Sequence, residues 1–97
     1  MLNMYVSKNK EIAYRVIEDE AIILTPEDGM LHNLNPVATV IFESANGKRQ
    51  VKDIIGKICE EFDIEERVAH RDCLNFIEDL VHKKMLILSG KPTKFSK

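Results

Sequence analysis

Apolar and polar residues alternate over short segments in the first third of the chain. The alternation is clearest over residues 12–17, where β-branched side chains are also frequent, and it predicts a β-strand. Residues 21–25 form an apolar run that predicts a second strand, either central in a small sheet or covered on both faces. Residues 26–29, Pro-Glu-Asp-Gly, favour a turn, so we expect residues 30–34 to form a third strand. The pattern predicts a three-stranded antiparallel sheet.

From Asn35 onward the apolar residues recur at intervals of three and four, which is typical of helices. Asn35 can cap free backbone N–H groups and Pro36 suits the first helical position, so a helix is expected to begin there and to end at residues 46–47. Residues 51–62 predict a second helix. A third and longer helix is predicted from about Ile64 to Lys84.

Smaller signals refine this outline. Residues 48–50 are polar and predict an exposed link between the first two helices, whereas residues 85–88 predict a short closing strand. Asp63 and Glu66 have the spacing of a capping box at the start of the third helix. Gly56 lies inside the second helix, where it either allows close packing or faces solvent.

These elements predict an α+β fold, in which a three-stranded antiparallel sheet is followed by three helices and a short closing strand. This is also the outline of a winged helix-turn-helix. A chain of 97 residues has room for one hydrophobic core. We expect residues 1–10 to be a loosely held N-terminal arm, residues 11–88 to be a single domain, and residues 89–97 to be a basic tail.

Composition excludes several classes of protein. Hydrophobic residues make up 44% and charged residues 31% of the chain, as in ordinary globular proteins. The apolar run at residues 21–24 is far shorter than the roughly 20 residues of a membrane span, so no membrane association is expected. The N-terminus lacks the pattern of a secretory signal, which favours a cytoplasmic location.

DNA binding is the alternative that the winged-helix outline raises. The formal net charge of −2 counts against it, since a protein that follows phosphates needs a basic face. The third helix mixes both signs of charge and has no cationic stripe; its residues are Glu65, Glu66, Asp72, Glu78 and Asp79 against Arg67, Arg71, Lys83 and Lys84.

Histidine and cysteine are the candidates for metal binding or nucleophilic chemistry. His70 and Cys73 are three positions apart on one helix, but His32, Cys59 and His82 add no paired spacing, so no metal site is predicted. Both cysteines lie within apolar helical patterns, which favours core thiols over nucleophiles. No glycine-rich phosphate loop is present, and we predict no cofactor and no catalytic residue.

The chain resembles the PqqD family, the small protein of pyrroloquinoline quinone biosynthesis that is also called the RiPP precursor peptide recognition element. The resemblance spans about Tyr14 to Leu88, and it rests on residues 34–38, 46–47, 61–63 and 72–77 together with Leu80 and residues 85–86. Lys84 departs from the family, which usually has a glycine there, so either the turn differs or Lys84 accepts strain. Phe42 is the candidate for an aromatic residue common in the first helix.

The resemblance implies a winged-helix-like domain that does no chemistry itself. Such a domain binds the leader of a ribosomally made precursor peptide and presents it to a modifying enzyme, commonly a radical SAM protein. In the family the leader adds as a strand to the edge of the third strand and lies against the third helix. The corresponding residues here are Met30, Leu31, His32, Asn33 and Leu34 on the strand, and His70, Arg71, Leu74, Ile77 and Val81 on the helix.

Three alternatives remain open at this level. Leu74 and Val81 could simply complete the core, and His32 and Asn33 could be solvent-facing strand residues without a ligand. The strand edge could also pair with that of a second copy, giving a homodimer.

Overall fold

The structure is a computed structural model, and it describes residues 1–92. Strands and helices follow one another along the chain in this order: β1 (Tyr5–Lys8), β2 (Ala13–Ile17), β3 (Glu20–Thr25), β4 (Met30–Asn33), α1 (Pro36–Ser44), β5 (Asn46–Gln50), α2 (Val51–Phe62), α3 (Glu66–His82) and β6 (Leu86–Ser89). Among the described residues, no helix combines the length and apolarity needed to cross a membrane. The fold is mixed α+β.

The three predicted strands form an antiparallel sheet in the order β2-β3-β4, which confirms the prediction. Buried and exposed residues alternate along β3, with Ala21, Ile23 and Thr25 buried. One face of this sheet therefore lies on the core. We call the opposite face the outer face. Of the two expectations for β3, its central position in the sheet is confirmed, whereas cover on both faces is wrong because Leu24 on the outer face is 38% exposed.

A second antiparallel sheet, in the order β5-β1-β6, overturns two expectations. Residues 1–10 are not a loose arm, because Tyr5–Lys8 is the central strand of this sheet and Val6 is fully buried. Residues 48–50 are not an exposed link, because they belong to β5 and pair with β1. Both strands are too short and too polar for alternation to reveal them.

The helices begin and end close to the predicted positions. The side chain of Asn35 accepts a hydrogen bond from the N–H of Ala38 at 2.8 Å, so the predicted cap of α1 is confirmed. The capping box expected at Asp63 and Glu66 is wrong. Asp63 instead ends α2 with a left-handed backbone (φ 51°), and no side-chain bond caps α3.

A single core joins the two sheets and the three helices. Phe42 of α1 is fully buried, and its ring meets the ring of Tyr14 edge to face, with the centroids 4.9 Å apart. Cys73 is buried in this core as expected, while Cys59 is half-buried. Gly56 is exposed and has open space around its α-carbon, so it faces solvent and does not serve close packing.

The turn from α3 into β6 depends on Lys84. Its backbone is left-handed (φ 63°), its N–H donates to the carbonyl of Val81 at 3.0 Å, and the next N–H, from Met85, donates to the carbonyl of Leu80 at 2.8 Å. This is a Schellman ending, in which glycine is the usual residue at the left-handed position. The sequence left two possibilities, a different turn or strain at Lys84. The structure has the usual turn, and Lys84 accepts the strain of its left-handed backbone.

The closing strand β6 is confirmed, one residue later than predicted. The tail expected at residues 89–97 begins within it, because Ser89 pairs with Tyr5. Residues 93–97 of that expected tail lie outside the described residues.

Candidate functional site

Strand β4 has one edge that no other described strand covers. It pairs with β3 only, and the N–H of Leu34, just beyond its end, donates to the carbonyl of Ala21 at 2.8 Å. Residues of an antiparallel ladder point alternately towards and away from their partner strand. The N–H and C=O groups of Leu31 and Asn33 therefore point outward, and we call these four groups the open edge.

The side chains of β4 divide between the two faces of the sheet. His32 lies opposite the buried Ile23, so His32 and Met30 point to the core side, although Met30 is 53% exposed. Leu31 and Asn33 point to the outer face, where Leu31 is 66% exposed. Leu34 lies in the core, so of the five strand residues expected to bind peptide it alone is buried.

Nothing in the sequence of β4 protects its open edge. Natural edge strands are commonly blocked by lysine, by proline or by a bulge, which prevents pairing with another chain. The strand Met-Leu-His-Asn contains neither lysine nor proline, and its register with β3 is regular. The outward backbone groups of Leu31 and Asn33 therefore have no strand partner among the described residues and are available to an extended peptide.

The turn before β4 is fixed by one threonine and one aspartate. Thr25 donates its hydroxyl to Oδ1 of Asp28 at 2.5 Å, and the N–H of Met30 donates to the same oxygen at 3.0 Å. The hydrogen bond from Thr25, followed by that from Met30, lowers the pKa of the Asp28 carboxyl below its usual value. Gly29 supplies the positive φ (69°) that closes the turn.

A buried hydroxyl holds the other end of β4. Thr39 of α1 accepts a hydrogen bond from the N–H of Ala21 at 2.8 Å and donates one to the carbonyl of Leu34 at 3.2 Å. This side chain ties β3 to the junction between β4 and α1. Sequence reasoning missed it, although a threonine between apolar neighbours in an amphipathic helix was the available signal.

Four of the helix residues expected to contact the leader, His70, Leu74, Ile77 and Val81, follow one another at helical spacing, and we call them the stripe on α3. His70, Leu74 and Val81 are half-buried, while Ile77 is fully buried. Leu74 and Val81 pack against the core and still expose part of their surface, so they serve the core whether or not they also contact a ligand. Arg71 is exposed, with its Nε 3.3 Å from Oδ1 of Asp72.

A cleft of about 540 Å³ lies at the Met30 end of β4. The turn residues that precede Met30 form one wall, and the end of α3 forms another. Acidic and basic groups both line the cleft, among them Glu11, Glu27, Asp28, Lys83 and Lys84. A peptide that extends past this end of the strand would meet charges of both signs.

The described residues offer little for chemistry. Within residues 1–92, no group of three or more histidine, cysteine, aspartate or glutamate side chains is placed to hold a metal ion. Burial, as the largest cause, raises the pKa of the Cys73 thiol to about 11. Because that thiol is protonated at neutral pH, it is a poor nucleophile.

Comparisons with known proteins agree on one family and one fold. Residues 20–86 match the family model described as coenzyme PQQ synthesis protein D (PqqD), whereas no curated protein matches the sequence. A structure described as TbiB1 in complex with the TbiA(beta) leader peptide is 22% identical, with a TM-score of 0.75, and the match covers 82% of this chain and 93% of that one.

Two further solved structures are similar. A lasso peptide synthetase B1 complexed with the leader peptide is 20% identical, with a TM-score of 0.74, covering 84% of this chain and 96% of that one. The PqqD truncation of PqqCD from Methylobacterium extorquens, described as a stand-alone RiPP recognition element, is 19% identical, with a TM-score of 0.67 and coverages of 84% and 87%. The chain therefore has the fold of these proteins.

Proposed function

The chain belongs to the PqqD family, and from this premise we propose that it binds the leader of a ribosomally made precursor peptide and presents the peptide to a modifying enzyme. The domain does no chemistry itself in this proposal. The leader adds as a strand to β4, and the observation that carries the proposal is the outward direction of the backbone groups of Leu31 and Asn33.

Similar proteins support this mode of binding. Two of the similar structures named above are complexes with a leader peptide, and a third is described as a RiPP recognition element. The edge that would accept the strand here is exposed and unprotected by lysine or proline.

Main-chain pairing by itself gives weak binding at most. The open edge offers two donors and two acceptors, and each hydrogen bond contributes a net 0.5–1.5 kcal/mol, or about 2–6 kcal/mol altogether. Association costs at least about 4 kcal/mol in lost freedom of motion. Side-chain contacts must supply the remainder and the selectivity, so a second wall beside the strand is required.

We assign that second wall to the stripe on α3. Leu74 and Val81 expose apolar surface, His70 extends the stripe by one turn, and the fully buried Ile77 supports it from below. Arg71 is available to an acidic leader residue, because its contact with Asp72 is exposed and contributes at most about 1 kcal/mol.

The experiment uses 12-residue peptides selected from a random phage library on the wild-type domain. Leu31→Pro and Asn33→Pro each remove one outward N–H, so we expect affinity for these peptides to fall at least about tenfold, equivalent to 1.4 kcal/mol. Undiminished binding by both variants would rule out strand addition at β4. Circular dichroism checks that each variant is folded.

Val16→Pro is the matched control. The alternation that points Leu31 outward also points the N–H of Val16 away from β3, on the opposite edge of the same sheet. This variant introduces the same backbone change far from β4. We expect it to retain peptide binding.

The finer parts of the proposal concern partners and location. The enzyme served is a radical SAM protein, and the domain is cytoplasmic, where ribosomes make the precursor. In the absence of peptide, two β4 edges pair across a two-fold axis as a homodimer. Light scattering at several concentrations tests the pairing, because a selected peptide should then convert dimer into monomer.

DNA binding has less support on the described part of α3. Arg67 lies 3.5 Å from Glu65, and Lys83 lies 3.1 Å from Asp79, so these cations are already beside carboxylates. A phosphate-binding helix would show affinity that falls steeply with salt, and we expect no DNA binding even at low salt.

A further inference from the structure

We propose that Leu31 selects the leader by requiring an apolar residue beside it on the outer face of the sheet. This inference rests on the proposed function, since it takes the leader to be the fourth strand of the sheet. It assigns a specificity-determining role to a side chain that points away from the stripe on α3.

Three residues form a row across the outer face. Ala13 is paired in register with Leu24, and Leu24 is paired with Leu31. Directly opposed residues in an antiparallel sheet project from the same face. Because the alternate residues of β3 are buried on the other face, this row is the solvent side of the sheet, and Leu31 is its last member.

Leu31 has a cross-strand neighbour, Leu24, on one side, and no described strand on the other side. Leu24, which has strands on both sides, is 38% exposed, whereas Leu31 at the open edge is 66% exposed. A strand added to β4 places one of its own side chains beside Leu31, at the separation of a cross-strand pair. An apolar side chain there covers Leu31 and lengthens the row, whereas a charged one loses water without gaining a partner.

The next outward residue of β4 sets a different requirement. Asn33 lies two positions along on the same face, is exposed, and is paired in register with Ile22. Its polar side chain can hydrogen-bond a polar neighbour. We therefore expect the leader to have an apolar residue beside Leu31 and to tolerate a polar residue beside Asn33, two positions away along the added strand.

The test compares selections from a random 12-residue phage library on the wild-type domain and on Leu31→Glu. The variant keeps the backbone N–H, so strand addition remains possible, but it places a carboxylate at the end of the row. We expect wild-type selection to favour an apolar residue at one motif position. Selection on Leu31→Glu should favour lysine or arginine there and leave the other positions unchanged.

Affinities measured for one selected peptide make the comparison quantitative. Replacing its apolar residue at that position by lysine should weaken binding to the wild-type domain about 2- to 5-fold and strengthen binding to Leu31→Glu, as expected of a cross-strand pair. Ile17→Glu is the matched control, because Ile17 is 50% exposed on the same face but lies on β2, away from the open edge.

The outcomes separate this inference from the proposed function. Identical preferences for the wild-type domain and Leu31→Glu at every position would overturn the role of Leu31, while loss of binding in Leu31→Pro would still support strand addition. If no selected peptide loses affinity in Leu31→Pro or Asn33→Pro, strand addition itself fails, and the selective role of Leu31 fails with it.

Discussion

Lys8 of β1 donates a hydrogen bond from its ammonium group to the carbonyl of Ala45, the C-cap residue of α1, at a distance of 3.1 Å. The same Nζ donates to the carbonyl of Glu43 at 3.2 Å and lies 5.4 Å from the centre of the Phe42 ring. Carbonyls at the end of a helix lack partners within the helix and attract a cation. Lys8 thus fastens the first strand to the first helix, even though burial lowers its pKa.

Lys8→Met should therefore destabilise the domain. The variant keeps most of the aliphatic length but loses both hydrogen bonds and the cation, so we expect the free energy of unfolding to fall by about 1–2 kcal/mol. Urea denaturation measures the change. Lys10→Met serves as the control, since Lys10 is exposed. Equal midpoints for the two variants would show that the contact with α1 contributes nothing.

The Thr39 hydroxyl should contribute to stability beyond its size. Thr39→Val conserves shape but leaves the N–H of Ala21 and the carbonyl of Leu34 without this partner, and we expect a loss of about 1–3 kcal/mol. Thr39→Ser retains the hydroxyl and should keep more of the stability. If serine proves no better than valine in thermal unfolding, the hydrogen bonds are not the reason for the threonine.

Lys84→Gly should make the domain more stable. A left-handed backbone costs a residue with a side chain about 1–2 kcal/mol, and glycine avoids this cost. Glycine also gives the unfolded chain more conformational freedom, which offsets part of the gain, so the expected net increase in stability is about 0.5–1 kcal/mol. The lost contact with Glu27 is exposed and long at 3.8 Å, and contributes little. The midpoint of thermal unfolding should rise by a few degrees. Lys83→Gly, at an ordinary φ of −83°, should lower it.

Removing the Thr25 hydroxyl should raise the pKa of Asp28 towards the ordinary value of an aspartate, because the hydrogen bond from Thr25 is the largest cause of its lowering. The lowered pKa means that folding favours the carboxylate, so this stabilisation is present above the usual pKa and is lost as pH falls through the lowered value. Carbon-13 NMR titration of the Asp28 carboxyl in wild type and Thr25→Val measures the effect. An unchanged pKa would contradict the assignment of Thr25 as its main cause.

The sequence predicted the elements that carry long or sharply bounded patterns. Alternation identified β2 and an apolar run identified β3, while the turn at Gly29 led into β4 and Asn35 marked the start of α1. The strand β1 has four residues with Val6 as its one fully buried apolar side chain, so its pattern is no stronger than that of a loop. Its place between β5 and β6 depends on contacts with residues far along the chain.

The candidate site was predictable in part. The resemblance directed attention to β4 and α3, but a strand pattern does not say which N–H groups point outward. The hydrogen bond from the N–H of Leu34 to the carbonyl of Ala21 supplies this information. Because backbone groups alternate in direction along a strand, it shows that the N–H groups of Leu31 and Asn33 point away from β3. The resemblance likewise grouped Ile77 with Leu74 as residues that contact the leader, although Ile77 is fully buried and Leu74 is not.

The two sheets differ in how far along the chain their paired residues lie. Strands β2, β3 and β4 follow one another through short turns, whereas residues paired between β1 and β6 are roughly 80 positions apart. Ordering a short loop is faster and costs less entropy than closing a long one. We therefore expect the β2-β3-β4 sheet to form early in folding and the β5-β1-β6 sheet to form last. A nascent chain would then have a formed β4 edge before its first strand is in place.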